Sequence, residues 1–302
     1  MTQKTISNFK RYFKDWNSVY FYLNRAIRNS DIRDILYRLI RIVMPTSNVP
    51  APNPAELSRL DKDGVIVWNE FLDAGKLNKI REYLLTKPVY DWHDHMRGIQ
   101  SHTPLNMNDI KITRPMKLQY FDEDIVQCKE IIEVANRPEI LSLVSAYLGC
   151  KPTISLMSSW WTKAGAGPSE KFYDDMFHRD VADYRFLKLF VYLTDVTEKT
   201  GAHCFIRGSH KFKKFTERRV FSDEEINQNV NKQDQLVFTG KKGTGFLENT
   251  WGLHRSRPCE EGERLVLHIM YNLAAIDAGS PRQPIAKNIY GVDQYSNRVY
   301  LY

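Results

Sequence analysis

His178 and Asp180 stand two residues apart in the stretch "MFHRDVADYRFLKLFVYLTDV", residues 176–196. In an extended chain, residues i and i+2 lie on the same side, roughly 6.5 Å apart. An imidazole and a carboxylate held that way can close on one cation. His254, in "ENTWGLHRSRP", lies 74 residues beyond Asp180 and ends a strand-like run. Two histidines and one carboxylate occupy one face of a metal and leave the other face open. That set suits Fe(II) that must also take a co-substrate and dioxygen. Zinc more often takes three or four nitrogen and sulfur ligands.

The residues after His254 add a second chemistry. "RPCEEGE" (257–263) reads as a turn between two strands. A hairpin centred on Glu260 would set Ser256 opposite Arg264, with Ser256 on the same face as His254. Arginine is suited to bidentate capture of a carboxylate. A dicarboxylate chelating the metal at one end would meet Arg264 and Ser256 at the other. The register is an expectation, because a one-residue slip would reverse every side chain. A competing cluster, His93, Asp94, His95 and His102 in "YDWHDHMRGIQSH", has no carboxylate-binding hairpin after it. It reads as a loop carrying substrate-pocket or surface histidines. His203, His210 and His268 read as structural or locally hydrogen-bonded groups, and "RGSHK" (207–211) as a turn set by Gly208 and Ser209.

Several elements must position these groups. Strand-like runs dominate from Lys151 onward: "TISLMSSWW", "FLKLFVYLTDV", "HCFIRGSH", "QLVFTG", "GTGFLEN" and "RLVLHIMYNL". Before them come the short strand "DGVIVW" and helical segments at 73–87 and 124–149. Pro138 opens the last helix and Gly149 closes it. Helices first and strands later imply an α+β fold, a β-rich core buttressed by helices. With 302 residues, 42% of them hydrophobic, the chain is long enough for one enlarged domain. Cys128, Cys150, Cys204 and Cys259 have neither zinc nor disulfide-scaffold spacing and read as reduced thiols. No apolar run is long enough to span a bilayer, and no secretory signal opens the chain, so a cytoplasmic location is expected.

The net charge of +7 is uneven, because residues 1–43 hold nine Lys/Arg against three Asp. This segment reads as a basic helical extension over 1–44, followed by a proline-rich linker over 45–56 and the main domain over 57–302. Its second helix follows Ser30 as N-cap. The apolar stripe is Ile32, Ile35, Leu36, Leu39, Ile40 and Val43, with Arg33, Arg38 and Arg41 off it. Such a helix either covers a flank of the main domain or lies peripherally on an anionic membrane, here the inner face. Basic and aromatic residues interleave, but no nucleic-acid module is recognised, so no nucleic-acid partner is expected.

From about Leu57 to Leu273 the chain resembles the phytanoyl-CoA dioxygenase family of Fe(II)/2-oxoglutarate oxygenases. The resemblance is carried by "LDKDGVIVWNEFLDAGKLNKIREYL", "RPEILSLVSAYLG", "HRD", "YLTDVTEKTGAHCFIRGSHK" and "GLHRSRPCEEGERLVLHIMY". Arg207 replaces the proline that usually precedes GSH, and "EKTGA" replaces the usual asparagine-glycine turn. The resemblance implies a double-stranded β-helix (jelly-roll) core with His178, Asp180 and His254 as iron ligands. It implies Arg264 and Ser256 as holders of the distal carboxylate of 2-oxoglutarate, with Thr162 or Lys163 assisting from the strand before HxD. Iron, 2-oxoglutarate and O2 would together hydroxylate an aliphatic C–H bond, and hydrogen bonds behind the two histidines should fix their tautomers. Similar enzymes act on acyl-CoA thioesters, amino-acid derivatives, phosphonates, natural products and lipopolysaccharide sugars. The basic N-terminus favours an anionic substrate, with the Kdo sugar of a membrane-associated lipid A precursor as one candidate, which would place the enzyme in lipopolysaccharide biosynthesis. The alternatives are a soluble tailoring hydroxylase of a small metabolite and a non-catalytic jelly-roll binding protein.

Overall fold

The computed structural model describes residues 16–92, 104–106, 110–112, 114–165, 173–275 and 291–301. His93, Asp94, His95 and His102, the competing cluster, lie outside the described residues.

In chain order the strands are β1 (Val65–Trp68), β2 (Val89–Asp91), β3 (Met116–Tyr120), β4 (Thr153–Lys163), β5 (Phe186–Tyr192), β6 (His203–Ile206), β7 (Gln235–Phe238), β8 (Gly245–Glu248), β9 (His254–Ser256) and β10 (Glu263–Asn272). They form two antiparallel sheets, a seven-stranded one ordered β1-β8-β5-β10-β4-β3-β2 and a three-stranded one ordered β7-β6-β9. Together these make the double-stranded β-helix. The alternation of side chains along β10 divides the interior. Leu265, Leu267, Ile269 and Tyr271 join the large core shared with the helices. Val266 joins Phe190, Tyr192, Phe205, Phe238 and Phe246 in the core between the sheets. Arg264 and His268 have the same parity as Val266, so the strand directs both toward the space between the sheets.

The helices are α1 (Trp16–Ala26), α2 (Ser30–Val43), α3 (Pro54–Asp63), α4 (Ala74–Leu85), α5 (Asp122–Ile125), α6 (Lys129–Ala135), α7 (Pro138–Leu148) and α8 (Asp223–Asn229). Leu60 of α3, Leu77, Ile80 and Leu84 of α4, Ile131 and Ile132 of α6, and Val144 and Leu148 of α7 pack on the outer face of the large sheet. The segment expected as linker to residue 56 ends earlier. Asn53 caps α3 by accepting from Ala55 N, and Pro54 is an opening residue of the helix. Proline suits that position because its missing N–H would have no partner there. The helical segment expected over 124–136 is broken into α5 and α6 at Val126–Cys128.

The described part of the N-terminal extension lies against the main domain, but of its apolar stripe only Ile40 packs on the large core and Leu36 is half-buried. The N-cap of α2 is Asn29, whose side chain accepts from Asp31 N and Ile32 N, and Ser30 is the first helical residue. The buried residues of α2 are Arg33 and Tyr37. Arg33 donates to Asn24 O at 2.8 Å, Ile27 O at 3.0 Å, Asn24 Oδ1 at 3.0 Å and Asp183 O at 2.5 Å. Its guanidinium also lies 4.2 Å from the centre of the Trp251 ring. Saturation with acceptors and an aromatic face is what makes a buried cation tolerable. Tyr37 hydroxyl donates to Leu148 O at 3.1 Å. Ile32, Ile35, Leu39 and Val43 of the expected stripe face outward, with Ile42 beside them.

Candidate active site

The HxD segment is not part of a long strand. Phe177 and His178 each form one isolated bridge, His178 with His254 and Phe177 with Phe221. His178 and His254 exchange both backbone hydrogen bonds, at 3.0 and 3.1 Å, so residues 76 apart in the chain sit side by side. Arg179, between the two candidate ligands, holds the segment from behind. It is buried and donates to Phe215 O at 2.6 Å, Ser209 O at 2.9 Å, Lys214 O at 3.2 Å, and Trp251 O. Phe215, whose carbonyl takes the Nε proton, has φ +58°, an unusual conformation for a bulky residue.

His178, Asp180 and His254 offer donor atoms that all lie within 4.8 Å of one another, and they are the one such three-residue group among the described residues. Nε2 of His254 is 3.1 Å from Asp180 Oδ2, and Nε2 of His178 is 3.8 Å from Oδ1. Nδ1 of His178 lies 2.8 Å from Met176 O, and Nδ1 of His254 lies 3.0 Å from Gly252 O. A carbonyl can only accept, so both rings donate from Nδ1 and present Nε2 to the carboxylate, to which His254 Nε2 hydrogen-bonds. Lys188 donates to Asp180 Oδ2 at 2.6 Å and fixes the orientation of that group. Burial, followed by the neighbouring His254, lowers His178 to about 4, keeping it neutral at physiological pH. Burial opposes ionisation of Asp180, but Lys188 and the two imidazoles hold it well below the usual carboxylate range. Burial opposes a charge on His254, but Asp180 raises it above its ordinary value, and a divalent metal would take the place of the proton shared between the two.

A second cluster borders the same cavity. Arg264 is buried, and donates to Thr162 Oγ1 at 3.2 Å, Ser256 Oγ at 3.3 Å and Gly201 O. Its Nε has no hydrogen-bond partner, and no carboxylate among the described residues pairs with it. Thr162 faces Arg264 directly across β4 and β10. Ser256 does not meet Arg264 as a hairpin partner. β9 pairs with β6 in the small sheet, whereas β10 lies between β4 and β5 in the large one. The two residues meet across the gap between sheets, because 257–262 crosses from one to the other. Lys163 also borders the cavity, but its ammonium bonds to Glu263.

The cavity has a volume of about 580 Å³. Its wall adds residues not singled out from sequence: Trp160, Tyr173, Lys117, Lys188 and Phe190. His203 and His268, expected as merely local groups, also line it. His203 Nε2 is 2.9 Å from Oε1 of the fully buried Glu248, and its ring stacks 5.7 Å from that of His254. His268 Nδ1 pairs with Ser158 Oγ at 3.1 Å, while its Nε2 has no partner. His210 is the one with a purely local role, bonding Asp61 O at 3.0 Å. The parity of β10 carries a signal for His268, four residues beyond Arg264 and on the same face.

Two facing antiparallel sheets around a cluster of two histidines and one aspartate define a double-stranded β-helix oxygenase. The phytanoyl-CoA dioxygenase (PhyH) family pattern matches residues 60–260, and the chain belongs to this family of Fe(II)/2-oxoglutarate-dependent oxygenases. Among solved structures, EctD from S. alaskensis with 2-oxoglutarate and 5-hydroxyectoine is similar over 85% of this chain and 88% of its own, at 18% identity and TM-score 0.53. The same enzyme with bound Fe gives TM-score 0.51 at 18% identity, over 85% and 88% of the two chains. The epimerase SnoN from nogalamycin biosynthesis is similar over 72% of this chain and 83% of its own, at 16% identity and TM-score 0.49. No curated protein matches the chain. No helix of the described residues is long and apolar enough to cross a membrane.

Proposed function

We propose that His178, Asp180 and His254 hold the ferrous ion, and that Arg264, Ser256 and Thr162 hold the distal carboxylate of 2-oxoglutarate. The observation that carries this reading is Arg264. A buried guanidinium with a free Nε and no acidic partner is costly, and an incoming carboxylate removes that cost. The hydroxyls of Ser256 and Thr162 lie beside it to complete the acceptor's hydrogen bonds. Lys163 takes no part, since Glu263 already occupies its ammonium.

Held by these residues, a ferrous ion would supply the chemistry that couples decarboxylation of 2-oxoglutarate to oxidation of an aliphatic C–H bond. The chain's own residues prepare that step. Met176 O and Gly252 O hold the imidazole tautomers, Lys188 orients the Asp180 carboxylate, and Arg179 keeps the ligand segment against the loops behind it. Trp160 and Phe190 form an apolar wall that limits water around the reacting carbon.

The substrate is a small anionic molecule. Cations stand near the cavity, whose wall also carries Asp174, Asp175 and Asp180. Tyr173, which borders the cavity and is half-exposed, feels the charges of Asp180, Arg28, Asp174 and Arg218. Arg25, Arg28 and Arg218 are close enough that Arg218 repels the other two. The outward apolar stripe of α2 favours a second reading, in which the anion is the headgroup of a membrane glycolipid such as a Kdo sugar of a lipid A precursor. A screen scored by succinate formation, with small anionic metabolites and lipopolysaccharide precursors side by side, separates the two. Turnover of cationic or neutral compounds alone would overturn both. Anaerobic addition of Fe(II) and 2-oxoglutarate should produce a visible charge-transfer band that Asp180→Ala abolishes. A band of equal strength in that variant would refute the ligand assignment.

A further inference from the structure

Six of the nine large apolar side chains exposed among the described residues lie on α1 and α2. Ile32, Ile35, Leu39, Ile42 and Val43 of α2 are 48%, 57%, 59%, 75% and 78% exposed. Leu23, at the adjacent end of α1, is 49% exposed. At 100° per residue the five α2 positions fall within about one third of the helix circumference. A helix on a domain surface ordinarily turns such a stripe inward. Here Arg33 and Tyr37 take the inward side and their hydrogen bonds fix the rotation of the helix, so the stripe is held outward.

Charge indicates what covers it. Beside the stripe, Arg38 pairs with Asp34 at 2.9 Å and Lys213 with Asp31 at 3.0 Å, while the exposed Arg41 lies on the Tyr37 side of the helix with no acidic partner among the described residues. Residues 1–43 carry nine of the chain's cations against three acids. A second copy docked about a twofold axis would bring two such positive segments together, which like-charge repulsion opposes. An anionic lipid surface satisfies both features, because acyl chains take the apolar side chains and headgroups take the cations.

We propose that the outward face of α2 is a docking surface for an anionic membrane, on which the protein lies peripherally. This holds whichever substrate the cavity takes, and its test needs neither iron nor turnover. The probe is the full chain with sedimenting vesicles of phosphatidylcholine alone or with about a third phosphatidylglycerol. The wild type should partition onto the anionic vesicles and not the neutral ones, and should be released as salt rises from roughly 0.05 to 0.5 M. Ile35→Glu/Leu39→Glu should partition at least about tenfold less. Without lipid, the double variant should keep its melting temperature within about 2 °C and its oligomeric state, because both positions face solvent. Equal partitioning of the two proteins, or none by the wild type, would overturn the proposal. So would a wild-type oligomer dissociated by the substitutions, which would assign the stripe to a second copy. A melting temperature lowered by more than about 5 °C would show the stripe already covered by the chain itself, and would overturn it equally.

Discussion

Arg264 and Arg179 are both buried cations without an acidic partner, yet they are stabilised differently. Arg179 is saturated by four backbone carbonyls, whereas the buried Nε of Arg264 has no partner among the described residues. The first arrangement suits a fixed clamp, and the second, on a residue that lines the cavity, suits a ligand site. Arg264→Lys retains charge but loses the planar fork. It should raise the KM for 2-oxoglutarate by about 10- to 100-fold, equivalent to about 1.5–3 kcal/mol, with a smaller change in kcat. An unchanged KM would remove Arg264 from the co-substrate site. Arg179→Gln leaves carbonyls such as Phe215 O and Ser209 O unpaired and loosens the ligand segment. Stability should fall by about 3 kcal/mol, and Fe(II) affinity measured by titration should fall about tenfold or more. Loss of stability with full iron affinity would show that the clamp does not position the ligands.

At the scale of elements, the close approach of α3 to the loop after β6 depends on a glycine. Gly64 ends α3 with φ +83°, and a Cβ there would lie 2.5 Å from His210 Nδ1. Gly64→Ala should cost about 2 kcal/mol or more in denaturant unfolding, from backbone strain and displacement of His210. A cost below about 0.5 kcal/mol would contradict that geometry. Strand runs such as "FLKLFVY" and "RLVLHIMYN" were legible because β-branched and aromatic residues lie between turn signals. The strand β2, three residues long, and α8, seven residues long, are too short to show a period. The triad was legible because its residue types are few and its spacing is distinctive. The meeting of Ser256 with Arg264 was legible as a pairing but not as a route, since sequence distance cannot tell a hairpin from a crossing between sheets. Lys188 carries no signal in the sequence, and His203 reads as a local group, because a lone polar residue in a strand has many ordinary explanations. The apolar stripe of α2 was visible in its period, but not its direction, because that depends on acceptors that Arg33 finds only in the folded chain.

At the scale of the whole molecule, the extension and the catalytic domain meet at Asp183. This fully buried carboxylate accepts from Tyr20 hydroxyl at 2.7 Å, Tyr184 N at 2.6 Å and Ala274 N at 3.0 Å. Burial raises Asp183 to about 6 despite these donors. Its folded value lies above the unfolded one, so the protonated form favours the fold. The stabilisation it supplies is complete below about pH 4 and is lost as pH rises through about 6. Asp183→Asn has no such titration. The melting temperature of wild type relative to Asp183→Asn should therefore fall between pH 4.5 and 7.5, and a flat or rising difference would contradict the assignment.

Arg33 from α2 bonds the backbone of Asp183, only three residues beyond Asp180. The outward helix and the inner carboxylate are thus joined through one short rigid strut. Should loading of the iron centre tighten that strut, thermodynamic reciprocity requires lipid contact to tighten iron binding by the same factor. Measuring iron affinity with and without vesicles therefore reads both directions of the exchange at once.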